Sequence, residues 1–264
     1  MNQLALVLIG LLLGAVINAL ADDLPRRVRP ELPHCEACGE PHHPLLWSAV
    51  AAYLLGRGQC AQCGAPFRLR RVGVEIASTV LCVYLFARFG ATTRFLLLAA
   101  LLECLLLITV IDLEHRLILY VTIFPTAFVA LVYGLLGAER GVARTLLGGA
   151  AGFLSLLAVY WLGGFFSWLV ARLRQRPLSE VAFGGGDVNL AGVIGLAVGW
   201  QGIVLALMIA ILSGGVGATL YLMVMALRRR YSLFTAIPYG PFLVFGAVVL
   251  LLFDVEIKRR FGGG

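Results

Sequence analysis

Apolar runs of membrane length recur along this chain, separated by short polar breaks. They cover residues 3–21, 73–90, 94–111, 119–137, 145–170, 188–200, 202–226 and 236–254. A helix of about 20 apolar residues crosses a bilayer, so the pattern predicts an all-α polytopic membrane protein with about eight transmembrane helices. The sixth run is short and glycine-rich and abuts the seventh. Only residues 22–72 form a sizeable polar segment, and it carries six prolines. The expected organisation is therefore transmembrane helix 1 over 1–21, a small domain over 22–72, and a seven-helix membrane body over 73–264. No internal repeat and no low-complexity segment is evident.

Composition agrees: the chain is 61% hydrophobic and 13% charged, with mean hydropathy +0.95. That is far from the balance of a soluble domain. The net charge of +7 is then a topology signal rather than a nucleic-acid signal. Of the 21 basic residues, 14 fall in the loops after the first, third, fifth and seventh runs. Excess Lys and Arg marks cytoplasmic loops, so the N-terminus is expected outside and residues 22–72 in the cytoplasm. The rival reading of the first run is a secretory signal cleaved after Ala19-Leu20-Ala21. No basic residue precedes that run, and Arg26, Arg27 and Arg29 follow it, which favours an uncleaved span.

Two acids stand at the ends of apolar runs. Asp112 follows Leu105 to Ile111, and Asp187 follows three glycines in Phe183-Gly184-Gly185-Gly186-Asp187. Charge at a bilayer edge is expensive and points to function. Both acids fall at the cytoplasmic side of the expected topology. Two carboxylates sharing one proton can hydrolyse a peptide bond, one as base on water and the other as acid to the carbonyl. A proton-coupled transporter would also place acids in its spans, and position alone leaves both readings open. Glu114 and His115 are rivals for a role beside Asp112, with a plain charged turn as the alternative. Glu103 sits deep in the third run, where it is expected protonated or hydrogen-bonded inside the bundle, and Glu75 opens the second.

The polar segment holds Cys35-Glu36-Ala37-Cys38 and Cys60-Ala61-Gln62-Cys63, with 21 residues between them. Two such knuckles suit a tetrahedral thiolate site for Zn²⁺. Two disulfides or one iron are the alternatives, and a cytoplasmic location argues against disulfides. His34, His42 and His43 are spare candidate ligands. Cys82 and Cys104 lie in spans and are expected to pack as small apolar residues.

The order of motifs resembles one family. Ile111-Asp112-Leu113-Glu114-His115 is similar to the first aspartate motif of type IV prepilin peptidases, and Phe183 to Asp187 to their GxGD motif. The likeness extends to Gly14-Ala15-Val16-Ile17-Asn18, the double CxxC segment, Leu55-Gly56-Arg57-Gly58-Gln59-Cys60, Val74-Glu75, and Ile237-Pro238-Tyr239-Gly240-Pro241. The resemblance implies a bifunctional inner-membrane enzyme of type IV pilus or type II secretion systems. It would cut the basic leader of prepilins or pseudopilins at the cytoplasmic face, then methylate the new N-terminus with S-adenosylmethionine. It also implies Asp112 and Asp187 as catalytic residues, Cys35, Cys38, Cys60 and Cys63 as metal-binding cysteines, and Gly58 and Glu75 as positions associated with methylation. Expected partners are the prepilin substrate and membrane lipid, with no nucleic acid. A peptidase without methyltransferase activity is the alternative within the family. Departures are Ile118-Leu119-Tyr120 for the family's Leu-Pro-Asp, Asn189 for a Lys, His42-His43-Pro44 for Asn-Ile-Pro, and Gly73 for Leu.

Overall fold

A computed structural model of the chain describes all residues except 1, 36, 138–140, 175–183, 228–237 and 262–264. Among the described residues the regular elements are helices, joined by two isolated bridges in the polar segment. The chain divides into two compact units, Met1–Leu117 and Ile118–Gly264.

The first unit packs α1 (Gln3–Asp23), α3 (Leu69–Phe89) and α4 (Thr93–His115) together, with the short α2 (Ala49–Leu54) against the start of α3. Small residues let α1 and α3 meet. A Cβ at Gly14 would lie 2.5 Å from the Cα of Glu75, and one at Gly10 equally close to the Cα of Thr79. Gly10 and Gly14 thus form a GxxxG face, since in lipid only close van der Waals approach and hydrogen bonds hold helices together. One such bond is Ser78 Oγ to the Gly10 carbonyl at 2.9 Å. The same hydroxyl lies 2.8 Å from Glu103 Oε1, and Cys82 Sγ 3.6 Å from it. Glu103 is therefore hydrogen-bonded inside the bundle, as expected. Ser78 has one proton for two acceptors, so both contacts are complete only when Glu103 brings the second.

The second unit contains α5 (Tyr120–Leu136), α6 (Gly141–Arg174), α7 (Gly185–Leu227) and α8 (Gly240–Phe261). α6 and α7 pack backbone to backbone: Gly148 faces the carbonyl of Gly195, and Gly152 that of Ala191. Any side chain at those glycines would drive the helices apart. The 43 residues of α7 would extend about 65 Å as one straight helix, twice the hydrocarbon thickness. They do not run straight. Gly199 breaks the helix with φ 78° and ψ 172°, a conformation open to glycine. Two helices therefore meet at Gly199, next to the boundary expected between the runs 188–200 and 202–226.

Among the described residues, five helical stretches are long and apolar enough to cross a membrane: Gln3–Arg26, Leu69–Phe89, Thr93–His115, Gly141–Val170 and Gly185–Leu227. Tyr120–Leu136 and Gly240–Phe253 are apolar but shorter. Large apolar side chains such as Trp161, Phe165, Phe166 and Trp168 stand exposed on α6, as a lipid-facing surface requires. The observed boundaries shift the expected ones modestly. α3 begins four residues ahead of 73, after the extended N-cap Arg68, and its first turn is tied to the ends of α4 and α1 through Arg70 and Arg71.

Candidate functional site

The four cysteines of the polar segment converge. Each CxxC lies in a tight knuckle, closed by Cys35 N–H to Glu40 O at 2.9 Å in the first and Cys60 N–H to Ala65 O at 2.9 Å in the second. Gly39 and Gly64 take φ 75° and 71° at equivalent places, which accounts for a glycine after each motif. The bridges His34 to Pro41 and Gln59 to Pro66 flank them in the same way. Cys-x-x-Cys-Gly-x-Pro is therefore a short internal repeat, contrary to the expectation that the chain carries none.

All four Sγ atoms lie within 4.8 Å of one another, with Cys35 to Cys63 at 3.6 Å and Cys38 to Cys60 at 3.7 Å. Four sulfurs about 2.3 Å from a central ion would stand about 3.8 Å apart, so the set fits a tetrahedral metal such as Zn²⁺. The backbone prepares it. The N–H groups of Cys63 and then Gln62 bring the Cys60 thiol down to about 7. At Cys38 the N–H of Glu40 pulls the same way, but desolvation and the neighbouring sulfurs outweigh it, and the thiol is pushed up to about 12. The histidines do other work. His34 Nε2 lies 3.5 Å from Asp23 Oδ1, and His42 packs against Phe67 with ring centroids 4.9 Å apart. Burial, then the charges of Arg71 and His34, hold His42 below its ordinary value.

The polar segment has little core of its own beyond Ala49, Ala52 and Phe67. Gly58 and Glu75 dock it. A Cβ at Gly58 would lie 2.8 Å from the Tyr53 ring, whose hydroxyl donates to the Phe67 carbonyl at 2.7 Å. Glu75, 1% exposed, accepts three bonds at the start of α2: Ala49 N–H at 2.7 Å, Ser48 Oγ at 2.6 Å and Val50 N–H at 3.0 Å. Its carboxylate is spent on capping a helix N-terminus. Beside Cys35 opens a cavity of about 260 Å³, lined in part by Arg26, His42, Phe67, Arg68 and Arg71.

The two aspartates sit at helix ends in different units. Asp112 lies in the last turn of α4, 5% exposed, and Arg116 caps that turn in the left-handed region by donating its N–H to the Asp112 carbonyl at 2.8 Å. Asp187 lies in the first turn of α7, where its Oδ2 accepts the Gly184 N–H at 3.0 Å. Gly186 is required there, since a Cβ would come within 2.7 Å of Ile118. Tyr239 stands nearby, its ring centroid 6.2 Å from that of Phe242. Phe183 and Ile237, quoted in the motifs, lie outside the described residues.

Comparison with known proteins agrees with the motifs. The model of the Type IV leader peptidase family matches residues 99–219, and that of the Bacterial Peptidase A24 N-terminal domain matches 8–89. A prepilin leader peptidase/N-methyltransferase of Pseudomonas aeruginosa is 28% identical over 98% of this chain and 92% of its own length. That of Stutzerimonas stutzeri is 27% identical over 98% and 95%, and that of Legionella pneumophila 28% over 88% and 74%. No solved structure matches. The two family models take in both aspartates and all four knuckle cysteines between them, and the chain belongs to the type IV leader peptidase family.

Proposed function

We propose that this protein is a membrane aspartic endopeptidase that removes the leader of type IV prepilins or type II pseudopilins and N-methylates the new N-terminus. The observation that carries the reading is the placement of Asp112 and Asp187, each within one turn of a helix end. A substrate whose own apolar helix lies in the membrane presents its cleavage site at the boundary, where such carboxylates can reach it. One of the pair takes a proton from water, and the other gives a proton to the peptide carbonyl oxygen. Their oxygens also stabilise the tetrahedral intermediate by hydrogen bonding, and the proton shared between them returns to the leaving amine.

The positive charge of residues 22–72 supports placing this segment, and with it the cleavage site, in the cytoplasm of a bacterium with the N-terminus outside. Cys35, Cys38, Cys60 and Cys63 would hold Zn²⁺ as a structural ion that folds the segment. The cavity beside Cys35 fits parts of S-adenosylmethionine. Arg26, Arg68 and Arg71 suit its carboxylate, and the His42 and Phe67 rings suit its adenine. When bound, that group supplies an electrophilic methyl to the free amine that cleavage leaves.

The test is co-expression with candidate prepilins, followed by mass spectrometry of the pilin N-terminus. Leader loss together with a 14 Da gain, the mass of one CH₂ on about the scale of a single methylation, is the expected product. A product that is cut but never methylated supports the peptidase-only alternative. An intact leader with every substrate tried removes the proposal.

A further inference from the structure

Glu114 follows Asp112 by two residues at the end of α4, and both of its oxygens face arginines from the start of α3. Arg70 Nη1 donates to Oε2 at 2.7 Å, and Arg68 Nη1 lies 3.7 Å from Oε1. The other arm of Arg70, Nη2, donates to Asp22 Oδ1 at 2.5 Å. Asp22 belongs to the last turn of α1, and its second oxygen accepts from Arg71 Nη2 at 2.8 Å. That nitrogen also reaches the carbonyl of His34 at 3.4 Å, one residue before the metal-site Cys35. A continuous run of charge-assisted bonds thus joins the first cysteine knuckle to the last turn of α4.

The chemistry of the run is specific. A guanidinium is a flat fork with fixed donors, so one Arg70 can hold two carboxylates from two helices at once, which a single ammonium cannot do in fixed geometry. The side chains of Arg70 and Asp22 are only 16% and 3% exposed, and that of Glu114 is 24% exposed, so water screens them less than a surface pair. Nothing comparable is needed to end a helix. Without this clamp the last turn of α4 is held by its cap at Arg116, a non-glycine residue at φ 54°. Terminal turns fray readily. A carboxylate that must meet water and a peptide bond tolerates about half an ångström of error.

We infer that Arg70 and Glu114 are positioning residues for leader cleavage, fixing the turn that carries Asp112 to the end of α1 and to the cysteine knuckle. This inference rests on the reading of Asp112 as one of the catalytic pair. The clamp acts through Asp112 and does not touch the substrate.

The test uses the full-length protein in one membrane composition, with Glu114→Gln, Glu114→Asp and Arg70→Lys. Glu114→Gln should lower kcat by about tenfold with KM within about twofold of wild type, the signature of lost geometry rather than lost binding. Glu114→Asp, which keeps the charge, should recover much of that loss. Arg70→Lys keeps the charge but lacks the fork, and should behave like Glu114→Gln. Metal content and the melting temperature should stay at wild-type values, while amide exchange over residues 112–117 speeds up. Wild-type kcat in both Glu114→Gln and Arg70→Lys overturns the inference. So does a loss of rate that merely follows a lower melting temperature. Asp112→Asn run in parallel separates the two levels. If it cleaves normally, the underlying reading fails; if it is inactive while Glu114→Gln is normal, only the clamp fails.

Discussion

Asp112→Asn and Asp187→Asn should each lower leader cleavage by about a thousandfold or more, while the protein remains folded in the membrane. General acid or base catalysis contributes about 10² to 10⁴ in rate, and in the proposed pair each carboxylate would depend on the proton held by the other. A thousandfold loss corresponds to about 4 kcal/mol of transition-state stabilisation. Stability should be nearly untouched, because Asn matches Asp in volume. At position 187 an amide oxygen can still accept the Gly184 N–H that Asp187 Oδ2 accepts at 3.0 Å. The double variant should be little worse than either single one, since groups that act as a unit lose their effect together. Cleavage of a purified prepilin, measured beside thermal unfolding of the same samples, checks this. Full activity in either single variant removes that residue from the pair.

Much of this could be read from the residues because membranes impose simple rules. Long apolar runs announced the helices, and the glycine-rich stretch near residue 200 marked the place where Gly199 separates two of them. Acids at the run ends were visible because charge there is costly. The cysteine knuckles were visible through their spacing. What stayed hidden were partners distant in the chain. Arg70 and Glu114 are 44 residues apart, and neither carries a local sign of the other; Glu114 read as part of a charged turn. Glu75 matches a position associated with methylation, and its oxygens are engaged by Ser48, Ala49 and Val50 at a helix start that spacing could not reveal. Gly58 likewise gains its meaning from the Tyr53 ring above it. Periodicity reports which face is apolar, but it carries no information on which polar group meets which.

The second large effect concerns the cysteines. Replacing Cys35 and Cys60 together by Ser should release the bound metal and abolish methylation, with a smaller loss of cleavage. The segment between α1 and α3 has a core of little more than Ala49, Ala52 and Phe67, too small to fold it unaided. Structural zinc contributes about 10–16 kcal/mol in small peptides at neutral pH, so the ion would supply most of the order here. The cavity lined by Cys35, His42, Phe67 and three arginines depends on that order, and would be lost with the ion. Both aspartates lie outside the segment, so cleavage should fall only through the clamp that runs from His34 to Glu114. Protons compete with the metal. Cys60, held at about 7 by backbone N–H groups, is already largely ionised above that pH, whereas Cys38 at about 12 must always shed its proton to bind. Metal affinity should therefore fall as the pH is lowered through the neutral range, because Cys38 must lose its proton, and more steeply below about 7, where Cys60 must lose one too. Metal analysis of wild-type and variant protein, across pH and beside mass spectrometry of the processed pilin, measures all of this at once. A wild-type protein that binds no metal, or a Cys35→Ser/Cys60→Ser variant that methylates normally, would show that the knuckles do not support the methyltransferase.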